Sequence, residues 1–375
     1  MKKQKTHLFS FGEFNKKHLI LFFFAPISFI LILKKNEYYD NKGKKVTESI
    51  QTFTNYLGYI LIQGSIYLFI CIKRLIKQNK IKDISIDKTI DETLIILIIL
   101  MIISDLSFSV LIILLSKFNI SLFKFRYFEI FFLWIFSIIV LKVKIERHHL
   151  LTIIIMIIGI VFLTIIFLPP LKYNYLKTYI LSFGLILFHF INSIHFIIGH
   201  IIFYELEFNY YLGLLILGVI GVFFILIISF ISFLMKFNRI TLFQDFENFL
   251  KNNNIYDLII YIIINSFIEG IYFSFIWLIF KLFKPWFYGT TIIVNTIIFR
   301  IINILTKNNK TKFHLYEIFI YIILILTTFI FNEQIICNFW GLNIDTKKEI
   351  INRSEKDTYN LLKYETNSSD NESIG

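Results

Sequence analysis

Runs of apolar residues long enough to cross a lipid bilayer recur along almost the whole chain. The hydrocarbon core is about 30 Å thick, and a helix crosses it with roughly 20 mostly apolar residues. Residues 93–115, TLIILIILMIISDLSFSVLIILL, contain a single charged side chain, Asp105. Soluble domains carry about 25% charged residues. Here 17% are charged and 57% hydrophobic, with a mean hydropathy of +0.70. The apolar surface is therefore the sum of many spans and not one buried core.

Polar breaks divide the runs into ten expected spans, at 18–33, 54–75, 93–115, 125–142, 149–167, 179–203, 210–235, 256–281, 287–305 and 314–336. They are too long for buried strands, and they lack the alternation of a membrane barrel. The expected fold class is all-α: a polytopic membrane protein of ten transmembrane helices. The basic leader before the first run is followed by Lys34, Lys35 and Asn36 and by no small-residue cleavage site, so this run is expected to be a retained span. An even number of spans puts both ends on one side. Lys and Arg are in modest excess on that side, which the positive-inside rule makes cytosolic. Residues 1–17 are then a cytosolic leader, and the polar 343–375 a disordered cytosolic tail with room for a short amphipathic helix near 346–362.

Asp105 marks the middle of the third span and Glu269 the middle of the eighth, 164 residues on. The same offset carries the first span into the sixth, the fourth onto the ninth and the fifth onto the tenth; the second lands a few residues late on the seventh. The layout is two five-helix repeats, 18–167 and 168–342. An odd number per half inserts them with opposite topology, as in inverted-repeat carriers with a solute site near midplane.

The formal net charge of +12 sits mostly in the gaps between apolar runs. Loops beside anionic headgroups account for it, and no nucleic acid is expected as a partner. Heavy use of Ile, Phe, Asn and Lys, with 45 Phe, fits AT-biased coding, so single residues of these types carry little functional weight. Cys71 and Cys337 form no metal spacing. HExxH, GxxxxGK[ST] and GxSxG are absent. The chain is read as no enzyme, with no cofactor and no metal.

Ionisable groups within a span cost roughly 2.5–3.5 kcal/mol each on the insertion scale and are candidates for function. Asp105 lies among Ser104, Ser107 and Ser109. Tyr261, Asn265, Glu269 and Tyr272 share a helix face that should point into the bundle. Arg300, with Thr296 and Asn303 on its face, is placed to meet Glu269. In the sixth span His189, Ser193 and His200 share a face with Asn192 beside it, while His195 points elsewhere. Glu129 lies near the outer end of the fourth span, at an entrance or paired with Arg126 at the surface. For each of these a purely structural role is the alternative, and for the histidines and Glu129 it is favoured. His148 and His149, in a short basic loop, read as headgroup contacts. The triplets N-I-S at 119–121 and N-K-T at 309–311 are weak acceptor patterns for glycosylation.

The stretch 134–163, WIFSIIVLKVKIERHHLLTIIIMIIGIVFL, resembles the fourth and fifth helices of the drug/metabolite transporter superfamily. Lys142, Lys144, Arg147, His148 and His149 stand for its basic loop, and Gly159 for its mid-helix glycine. The stretch 191–222 is similar to the sixth and seventh helices of the nucleotide-sugar-transporter-like branch, with Gly213, Gly218 and Gly221 as the glycines. The resemblance covers most of 90–340. It implies ten helices, cytosolic ends, a central cavity and alternating access. FYNN and GALNK, associated with GDP-mannose carriers, are absent.

The expected function is secondary transport of a small polar solute, a nucleotide sugar or related metabolite, across an internal membrane of ER or Golgi type. The plasma membrane stays open. The alternatives are a non-transporting scaffold or degenerate carrier and, less favoured, a membrane-embedded lipid-modifying enzyme. The expected partners are the lipid bilayer and the solute, with a homodimer left open.

Overall fold

The computed structural model describes residues 9–11, 26–33, 47–78, 92–116, 127–167, 175–234, 242–282, 285, 288–306 and 315–338, and single positions from 342 to 354. The leader apart from 9–11, the start of the first span, Arg126, both glycosylation triplets and most of the tail lie outside the described residues, as do the side chains of Arg300 and Asn303.

Helical residues 26–33 form α1. Helix α2 runs from Glu48–Gly58 through a π-turn, Tyr59–Gln63, into Gly64–Gln78. Then come α3 (Glu92–Ser116), α4 (Tyr127–Ile139) and α5 (Arg147–Phe167). Helix α6 covers Tyr175–His200 and closes in a π-turn, Ile201–Glu205. It is followed by α7 (Tyr210–Leu234), α8 (Leu242–Asn252), α9 (Ile255–Leu282), α10 (Tyr288–Thr306) and α11 (Leu315–Phe331). Six described helices are long and apolar enough to cross a membrane, and α4 and the described part of α11 are shorter apolar helices. The chain is a helical, multi-pass membrane protein.

The distribution of side chains agrees with a lipid solvent. Ile95, Ile96, Ile99 and Ile103 of α3, Ile154, Ile158 and Val161 of α5, and Phe223, Ile227 and Phe230 of α7 are exposed, while Asp105, Glu129, Glu269, His189 and Asn265 are buried. Polar groups with no water outside must find partners within the bundle.

Packing pairs α3 and α4 with α6, α2 with α7 and α9, α5 with α11, and α10 with α4 and α11. Helix α2 is gripped at glycines: Gly58 faces Gly270 of α9, and Gly218 and Gly221 of α7 face Tyr56 and Tyr59. Small residues let helix backbones approach closely where lipid supplies no hydrophobic drive.

Two features depart from the sequence reading. The tenth span was expected to reach 336, but α11 ends at Phe331. Glu333 adopts a left-handed backbone, φ 55°, and the Gln334 and Glu333 amides donate to the Phe329 and Ile330 carbonyls. This is a Schellman cap with glutamate where glycine is usual. The chain continues as β2 (Ile335–Cys337), antiparallel to β1 (Phe9–Phe11) of the leader, with Ser10 opposite Ile336. Burial pushes the Cys337 thiol up, and both Cys71 and Cys337 are free. The second departure is α8, which no expected element covers. Leu242 and Phe249 are buried while Glu247 and Lys251, one turn apart, pair at 3.1 Å in the open. That is the face pattern of an amphipathic helix. Ser49 donates to Asp245 and fixes α8 to the start of α2.

Candidate functional site

A cavity of about 900 Å³, including its open part, lies between α1, α2, α3, α4, α6, α9 and α10. Helices α3, α4, α6, α9 and α10, which are the third, fourth, sixth, eighth and ninth expected spans, all contribute to its wall, together with α1 and α2.

Asp105 projects from the middle of α3. Its Oδ1 lies 3.5 Å from His195 Nε2, and the Tyr56 hydroxyl, 2.7 Å from Ser109 Oγ, stands beside the carboxylate. The other nitrogen of His195, Nδ1, lies 3.2 Å from the Met101 carbonyl and 3.1 Å from Ser104 Oγ. Ser104 itself donates to Met101, so the carbonyl collects both donors. A proton on Nδ1 would bond the Met101 carbonyl and one on Nε2 would face Oδ1, so the geometry of the pair can accommodate a shared proton.

A second such pair stands on α4 and α6. Glu129 Oε2 lies 3.2 Å from His189 Nδ1, and Oε1 accepts from Asn192 Nδ2 at 2.7 Å. Ser193 donates to the Glu129 carbonyl at 3.1 Å. On the α2–α9 side, Gln51 Nε2 donates to Glu269 Oε1 at 3.4 Å. The π-turn of α2 starts at Tyr59, whose hydroxyl accepts from Trp277 Nε1 at 3.4 Å. Local π-turns accompany functional sites often enough to be informative.

The remaining wall is aromatic. Phe108 and Phe188 stack with centroids 4.4 Å apart, and Phe196, Tyr272, Phe273, Trp277 and Tyr288 complete it. Among the described residues no Lys or Arg lines the cavity.

Of the residues singled out in the sequence, Asp105, Glu129, His189, Asn192 and Glu269 converge here. Asn265 does not line the cavity. It is buried and donates to Thr54 Oγ1 between α9 and α2. Its whole expected face, Tyr261, Asn265, Glu269 and Tyr272, is buried. His200 lies away from the cavity, with Nδ1 2.8 Å from the Phe280 carbonyl and the ring on Tyr204. His195, expected to point elsewhere, lines it. Thr296 is buried and bonds the Ile292 carbonyl, and the expected Glu269–Arg300 meeting lies outside the described side chains.

A second polar cluster stands at the start of α5. His148 and His149 are 2% and 8% exposed, so they do not contact headgroups; the neighbouring Arg147 is the exposed one. The helix start explains this, because consecutive residues point in different directions around it. The His149 ring lies tilted against Phe331 at 4.6 Å, and Phe331 stacks on Trp134 at 4.0 Å.

No family model and no curated protein matches the chain.

Proposed function

We propose that the chain is a secondary carrier of a small polar solute, bound in the central cavity and passed across the membrane by alternating access. The observation that carries this reading is the convergence of three carboxylates and two histidines, drawn from α3, α4, α6 and α9, on one cavity inside an otherwise apolar bundle. Each is costly to hold in a membrane, and their gathering on one cavity favours a polar solute path over helix packing alone. In this reading the Asp105 carboxylate meets the solute, and the Asp105–His195 pair is the proton site of the transport cycle.

The reading includes ten spans in two inverted repeats. Its support is the pairing of elements related by the offset of 164 residues: α2 packs on α7, α4 on α10, and α5 on α11. Asp105 and Glu269, equivalent under the offset, line the same cavity. The β1–β2 pairing holds the leader beside the segment after α11, in keeping with an even number of spans. The membrane is read as an internal one of ER or Golgi type.

The lining bears on the solute. A nucleotide sugar, the class implied by the resemblance, brings a diphosphate to a wall of carboxylates. A solute rich in hydrogen-bond donors, or a protonated amine over the aromatic faces, is better matched.

The test is uptake into proteoliposomes of purified protein, from a panel of nucleotide sugars, sugars, amino acids and amines. Saturable uptake of one class is expected. Asp105→Asn should keep the fold and weaken solute binding about ten- to hundredfold, the equivalent of one charge-assisted hydrogen bond. Full uptake by Asp105→Asn would remove Asp105 from the site. No uptake of any class by folded protein would favour a scaffold.

A further inference from the structure

We propose that Glu146, His148 and His149 form a binding site for a divalent transition-metal ion, zinc by preference, at the start of α5. One donor atom from each of the three falls within 4.8 Å of the others. Glu146 Oε2 and His148 Nδ1 are 3.6 Å apart. Ligands about 2.0 Å from a tetrahedral zinc stand about 3.3 Å from one another, so the donors must draw together by up to about 1.5 Å to hold the ion.

The chemistry of the donors selects the ion. Two imidazole nitrogens and one carboxylate suit zinc, whereas calcium and magnesium take all-oxygen sets. Three protein ligands leave a fourth position for water. His149 uses Nδ1, whose lone pair accepts the Glu146 amide N–H at 3.2 Å; ligation replaces that long bond. His148 uses Nδ1 and keeps its proton on Nε2.

A fourth residue, from a distant part of the chain, stands behind His148, just beyond hydrogen-bond distance. Glu333 Oε1 lies 3.8 Å from His148 Nε2. A carboxylate on the far nitrogen is how metal-bound histidines are oriented and made more basic. Glu333 occupies the left-handed capping position after α11, where glycine would be less strained. Its carboxylate gives a reason for a glutamate there. The ion would tie the start of α5 to the segment that follows α11, independently of what the central cavity carries.

The experiment is titration of full-length, tag-free protein, stripped of metal in detergent, with Zn²⁺ by calorimetry and with Co²⁺ by visible absorption. One saturable Zn²⁺ per chain is expected, with Co²⁺ bands well above those of the aqueous ion. His148→Gln with His149→Gln should abolish both signals, and Glu333→Gln should weaken Zn²⁺ binding about 10- to 100-fold. Three outcomes overturn the site: no saturable binding, binding that survives the double histidine substitution, or an aqueous-like Co²⁺ spectrum. The spectrum of the unsubstituted protein decides the matter if the variants fail to fold.

Discussion

Gly58→Leu should yield no monodisperse protein, and Gly58→Ala should already lower the midpoint of thermal unfolding by about 5 °C or more, a shift corresponding to 1–3 kcal/mol of overpacking. A Cβ on Gly58 would stand 2.5 Å from the Ser266 carbonyl oxygen and 2.8 Å from the Gly270 nitrogen. A Cβ on Gly270 would stand 2.6 Å from the Gly58 carbonyl oxygen. Both obstacles are backbone, so no rotamer change relieves them, and α2 and α9 must separate. That separation strains every bond across the seam: Gln51 to Glu269, Thr54 to Asn265, Gln63 to Ser274 and Tyr59 to Trp277. Gly64→Ala is the control, since its Cβ would meet only a methyl of Leu215 at 3.2 Å. Size-exclusion chromatography and thermal unfolding in detergent measure the difference. Equal behaviour of Gly58→Ala and Gly64→Ala would mean that the α2–α9 contact is not as close as described.

The same seam shows why some of the molecule was legible in the sequence. Spans announce themselves, because a helix in lipid must be apolar over its whole length. The bounds of α3, α7 and α9 accordingly fall within a residue or so of the expected runs. Asp105 and Glu269 were equally visible, since an isolated carboxylate within such a run has few uses. Helix α8 was not, because its polar face hides it in a charged gap, and the pattern of Leu242, Phe246 and Phe249 was the available signal.

His200 and His195 depart from the expectation for a geometric reason. His189 and His200 do share a face, but 11 residues separate them, which is about 16 Å along the axis. Angular position was read correctly and depth was not, so His200 falls beyond the cavity that His189 enters. His195 lies off that face, yet α3 stands there with Asp105, a long-range contact that no local pattern encodes. The burial of His148 has the same origin, because Glu333 lies far along the chain. Partners brought together by tertiary packing are what a single sequence conceals.

Glu129→Ala should be the most damaging single change at the cavity wall, while Glu129→Gln should fold and transport poorly. Glu129 is 2% exposed and serves two side chains of α6 at once, His189 through Oε2 and Asn192 through Oε1. Alanine removes both acceptors and leaves two buried polar groups short of a partner. Each buried polar group left unsatisfied costs about 1–3 kcal/mol. Glutamine keeps an acceptor for Asn192 but cannot offer His189 the same carboxylate oxygen. The Glu129–His189 interaction can be isolated by a double-mutant cycle with Glu129→Gln and His189→Gln, read by thermal unfolding. A coupling of about 1–3 kcal/mol is expected for neighbours joined in one network. A coupling near zero would show that the pair does not hold α4 against α6. Uptake by folded Glu129→Gln then separates the two roles: flux at the level of the unsubstituted protein would make Glu129 a structural acceptor only. Flux lost without loss of stability would place the carboxylate in the transport cycle, since the fold then tolerates the neutral side chain and the solute path does not.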